Sequence, residues 1–152
     1  MASNLDPSMA LAREFNKLVA NASSMSTEEV LRALDDIEAQ HAPRSDSGQK
    51  ALETRRRVAE WKLKLLSERD LPADQIETLR SAIDRLGFTN LEVEATIELY
   101  FAKYLIRNGR GSLAGARLND LLAKLQTAAA AGDPFASEDL IKDTERLLAN
   151  SR

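Results

Sequence analysis

Apolar residues recur at spacings of three, four and seven along the whole chain, and no segment alternates apolar and polar positions for long enough to make a strand. That periodicity predicts amphipathic helices throughout. The first opens at Asp6-Pro7 and carries Leu11, Phe15, Leu18 and Ala22 on one face. The second begins at the capping box Ser26–Glu29, shows Val30, Leu34 and Ile37, and ends before Pro43. Residues 42–48 form a polar linker. The third helix, near Gln49 to Asp70, has one stripe of Leu52, Ala59, Leu63 and Leu66 and a second of Val58, Trp61 and Leu65. A helix apolar on two sides needs two neighbours, and Trp61 is expected between the third helix and the fourth or fifth.

Pro72 opens the fourth helix, with Ile76, Leu79, Ile83 and Leu86, and Gly87 stops it. Thr89 and Glu92 suggest a capping box for the fifth, whose broad surface of Val93, Ile97, Tyr100, Phe101, Tyr104 and Leu105 predicts the central helix of the fold. Gly109 ends it, and Ser112 is expected to cap the sixth, which shows Leu118, Leu121, Leu122 and Leu125. A seventh is expected to open at Asp133-Pro134 and to present Phe135, Leu140, Ile141, Leu147 and Leu148. The prediction is an all-α chain: residues 1–152 form a single domain of about seven antiparallel-packed helices, arranged as a helical-hairpin stack or an irregular bundle.

Composition narrows the chemistry. With 43% hydrophobic and 30% charged residues and a net charge of −3, the chain reads as globular. No run is long and apolar enough to span a bilayer, and the opening stretch does not resemble a signal peptide. Cysteine is absent, which removes disulfides, thiolate catalysis and zinc-finger ligation and fits a reducing, cytoplasmic setting.

The single histidine, His41, limits triads and metal sites. Glu38-x-x-His41 has the spacing of a bundle metal motif, but a second such motif is missing, so His41 is expected to cap its helix or pack at the core edge. Glu94 and Glu98 are expected on a solvated face. The segment "NGRGSLAG" (residues 108–115) follows a helix rather than a strand and contains no lysine, so it is not a nucleotide-binding loop. No cofactor is expected.

Two arginine-rich edges remain: Arg55, Arg56 and Arg57 on the third helix, and Arg107, Arg110 and Arg117 around the glycine turn. The arginine fork pairs bidentately with carboxylates, so these six are the expected partner-binding residues. The expected function is a non-enzymatic protein–protein interaction module, an adaptor, chaperone-like factor, regulator or inhibitor, that contacts an acidic partner. The sequence is compatible with a homodimer and predicts no membrane contact. The alternative is a nucleic-acid-associated regulator using the third helix, where residues 46–70 hold seven basic and five acidic side chains. A sequence pI of about 5.3 weighs against that alternative, and Glu92, Glu94 and Glu98 weigh against a helix-turn-helix over residues 79–100.

Overall fold

The computed structural model describes residues 7–69 and 71–151. Among these, seven α-helices and a short 3₁₀ turn account for all regular structure, without a strand. The helices are α1 (Pro7–Asn21), α2 (Thr27–His41), α3 (Gln49–Ser67), α4 (Ala73–Leu86), α5 (Leu91–Arg107), α6 (Gly111–Ala130) and α7 (Glu138–Asn150), with the 3₁₀ turn at Ala22–Ser24. None is long and apolar enough to cross a membrane. The expected cap Asp6 and the expected end of α3 at Asp70 lie outside the described residues.

The predicted stripes become three apolar clusters. Leu11, Phe15 and Leu18 of α1 meet Val30, Leu34 and Ile37 of α2, and Val58 and Leu65 close this cluster from α3. The opposite side of α3, with Leu63 and Leu66, joins Ile76 and Ile83 of α4, Ile97, Phe101, Tyr104 and Leu105 of α5, and Leu118 of α6. Ala95, Leu121, Leu125 and Ala136 form the third, lined by Leu140 and Ile141 of α7. Helix α5 packs on α3, α6 and α7, as its broad apolar surface predicts. Helices α3, α5 and α7 therefore follow one another, α3 resting on α5 and α5 on α7.

Trp61 has a different neighbour from the expected one. Its ring stacks on Phe15 of α1, with centroids 5.0 Å apart and planes inclined by 11°. The two-sided reading of α3 holds, but the Trp61 side turns toward α1 and α2 while the Leu63–Leu66 side faces α4 and α5. Helix periodicity defines both stripes and leaves their partners to the packing.

Three helix starts also move. The capping box at Ser26–Glu29 forms, with reciprocal hydrogen bonds of 3.1 Å. At α5 the cap is Asn90 rather than Thr89, and the Asn90 side chain accepts from the Val93 amide at 3.0 Å. Helix α6 begins at Gly111 rather than after a Ser112 cap. A Cβ at Gly111 would lie 2.5 Å from the Ser151 carbonyl oxygen, so glycine is needed where α6 meets the end of α7. Asp133 spends its side chain on a turn, accepting from the Phe135 amide at 2.9 Å. Helix α7 starts later, from the Ser137 cap, and Phe135 is exposed. Gly87, Gly109 and Gly132 end α4, α5 and α6 at φ between 76° and 84°, a conformation that favours glycine.

Candidate functional site

Most of the six predicted arginines are engaged inside the chain. Arg55 donates to the carbonyls of Pro43 at 2.8 Å and Asp46 at 2.6 Å, and so holds the 42–48 linker. Arg56 Nε donates to the Leu86 carbonyl at the end of α4, 2.8 Å away. Arg107 donates to the carbonyl of Ser67 at the end of α3. Arg69, which no sequence pattern singles out, bridges the α1–α2 turn through Ala22 O at 2.7 Å, Met25 O at 3.0 Å and Thr27 Oγ1 at 3.3 Å. The last carbonyls of a helix lack intrahelical partners and carry the negative end of its dipole, so a guanidinium suits them. Arg110 pairs with Glu77 of α4, both about two-fifths exposed. Arg57 remains exposed. The structure does not bring the two edges together.

Arg117 belongs to a second arrangement. It donates to Glu98 through Nε at 3.0 Å and Nη2 at 2.6 Å. Arg80 of α4 donates to the same carboxylate and to Asp84. Glu98, expected in solvent, is only 8% exposed and Arg80 only 5%. Both are flanked by apolar residues one turn away, Ala95, Phe101 and Ala102 around Glu98 and Ile76 and Ile83 around Arg80. That spacing was the available signal for their burial. The guanidinium of Arg117 lies 4.9 Å from the Phe101 ring centre, and that of Arg80 lies 5.5 Å from Phe88.

The network forms the floor of a cleft of about 420 Å³ between α4, α5 and α6. Asp84, Glu94, Asp120 and Lys124 stand around it, with Phe88 and Leu121 as its apolar wall. Lys124 pairs with Glu94 at 2.7 Å. Burial pushes the Glu98 carboxyl upward, but the Arg117 hydrogen bond and then the charge and hydrogen bond of Arg80 outweigh it, so its pKa lies below the usual value. The Glu98 hydrogen bond raises Arg117 in turn, against the effect of its own burial. A carboxylate with a lowered pKa that receives two guanidinium groups serves to balance their buried charge. Among the described residues, no three His, Asp or Glu side chains gather as a metal ion would require. His41 pairs with Glu14 and thereby links the end of α2 to α1.

A second surface crosses α3 and α5. Lys64 Nζ lies 4.8 Å from the Trp61 ring centre and 5.8 Å from that of Tyr100, and Lys103 Nζ lies 5.6 Å from Tyr100. Both aromatic rings are half-buried, while Lys103 and Arg57 are exposed. Glu60, one turn from both Arg57 and Lys64, has its pKa raised by burial, with Arg57 and Lys64 opposing. Comparison of the chain with protein-family models, curated proteins and solved structures finds no match.

Proposed function

We propose that this protein is a non-enzymatic interaction module, an adaptor or regulator working in the cytoplasm, that binds an acidic partner segment across α3 and α5. The observation that carries this reading is Lys64 set over both Trp61 and Tyr100. Those two rings hold one ammonium between two helices, and two exposed cations accompany it, Lys103 beside Tyr100 on α5 and Arg57 two turns earlier than Lys64 on α3. The predicted role thus passes from the six arginines to this strip, with Arg57 as the member they share. The other five already hold internal hydrogen bonds or ion pairs, whereas Arg57 is exposed with the half-buried Glu60 one turn away. Carboxylates of a partner would pair with Lys64, Lys103 and Arg57, and aromatic and arginine side chains are the usual anchors of such interfaces.

Trp61 is the only tryptophan, so its emission reports directly on the strip. Titration with a peptide of alternating glutamate and leucine should change that emission saturably, and less so as salt rises. A lysine–leucine peptide should leave it unchanged. The Lys64→Glu, Lys103→Glu double variant, with its helicity checked by circular dichroism, should lose the response. An unchanged spectrum with the acidic peptide defeats the proposal. A response to single-stranded nucleic acid without one to the peptide replaces it with the phosphate-binding alternative.

A further inference from the structure

We propose that the partner docks as an acidic amphipathic helix, its apolar side seated on an exposed seam of α1 that holds Met9, Ala12 and Val19, beside Trp61. The proposal rests on the acidic-partner reading and specifies both the partner's form and the additional helix that it touches.

Helix α1 carries two stripes. Leu11, Phe15 and Leu18 are buried in the cluster shared with α2 and α3. Met9, Ala12, Asn16 and Val19 recur at steps of three and four on the neighbouring face, and all four are exposed. Met9 at 57% and Val19 at 42% are large apolar side chains left in solvent by the fold. A single such residue needs no explanation, whereas two aligned on one face mark a contact surface. They stand about 15 Å apart along the helix axis. Alternating steps of three and four are those by which one helix seats against another, so the seam fits a helix better than an extended segment.

Position ties this seam to the cationic strip. Ala12 and Val19 lie one turn to either side of Phe15, whose ring stacks on the half-buried Trp61. Trp61 in turn lies beneath Lys64. The seam therefore borders the aromatic pair that carries the ammonium group.

Charge then selects the polar residues of the partner. Arg13 and Lys17 are exposed on the flank of the seam away from Phe15, and Lys64 lies past Trp61 on the other flank. Glu14, the one acid of α1, pairs with His41 of α2 instead. A helix with leucine-like residues on the seam sets its flanking positions over these cations. Carboxylates there are attracted and basic side chains repelled.

Two peptides of identical glutamate and leucine content test this, one with its leucines at steps of three and four, the other strictly alternating. The helically spaced peptide should bind the full chain about tenfold more tightly, as burial of two further apolar side chains predicts, and should gain helicity by circular dichroism. Amide shifts should include residues 9–20 as well as α3 and α5. A lysine–leucine peptide at the helical spacing should not bind. The Met9→Ser, Val19→Ser double variant alters only exposed positions and should keep a dispersed spectrum. It should bring the helically spaced peptide down to the affinity of the alternating one, whose own affinity stays unchanged. Equal affinity of the two acidic peptides for the wild type, shifts confined to α3 and α5, or wild-type affinity in the double variant overturns this proposal and leaves the acidic-partner reading standing. Self-association of the free chain that the double variant abolishes assigns the seam to a second copy and likewise overturns it. Binding of the lysine–leucine peptide as tightly as its acidic counterpart, or a Trp61 emission unmoved by both acidic peptides, defeats the acidic-partner reading and this proposal with it.

Discussion

Two sets of arginines do different work in this molecule. Arg55, Arg56, Arg69 and Arg107 donate to backbone carbonyls at helix ends and turns. Arg80 and Arg117 converge on one side-chain carboxylate, Glu98, beneath a cleft. The first set meets acceptors that every helix end presents, so each contact fastens one element to another and asks little of the neighbouring side chains. The second set needs a buried acid at one position, two helices rotated to face it, and Phe88 and Phe101 against the guanidinium groups. The carbonyl-bound arginines therefore serve the architecture, whereas the carboxylate-bound pair shapes the cleft.

Removing the shared acid should separate the two sets most sharply. Glu98→Gln leaves Arg80 buried without its full counter-charge and should destabilise the fold by about 3–5 kcal/mol. Chemical denaturation measures this directly. Acid titration adds a second signature. The folded Glu98 pKa lies below the ordinary value of 4.5, so its contribution is complete above that value and is lost as pH falls through the lowered one. The wild type should lose stability in that acid range, and Glu98→Gln should lose correspondingly less. A variant as stable as the wild type would remove the distinction between the two sets.

Arg69→Ala tests the carbonyl-bound set. Three hydrogen bonds to the α1–α2 turn disappear, for a loss of about 2 kcal/mol, since bonds to a charged group count for more than neutral ones. Amide hydrogen exchange should rise in α1 and α2 and stay low in α5 and α6. Exchange rising equally in all four helices would mean that Arg69 supports the whole core rather than one junction. The smallest effect belongs to Arg110, whose pair with Glu77 is exposed on both sides. Arg110→Ala should change the unfolding free energy by less than about 1 kcal/mol, in keeping with surface ion pairs. A larger loss would place Arg110 with the buried network.

The site was less legible than the fold, and particular residues show why. Arg55, Arg56, Arg107 and Arg117 stand out in the sequence as charge, but charge does not reveal whether the acceptor is a partner protein, a carbonyl or a carboxylate. Glu98 looks like a solvated acid when read with Glu94, and like a buried one when read with Ala95, Phe101 and Ala102. Only the position of α4, which carries Arg80 to it, decides between those readings.

By itself the sequence determined the helices, their apolar stripes and most of their ends. Those depend on interactions within a few residues: the 3.6-residue period, the Ser26–Glu29 box, and glycines free to adopt positive φ at 87, 109 and 132. Tertiary structure alone decided that Trp61 lies on Phe15, that Arg107 reaches Ser67, and that Arg80 and Arg117 share Glu98. Each of those contacts joins side chains on different helices. Such contacts are set by how the helices rotate and cross as their apolar stripes are buried, and no local spacing encodes that rotation.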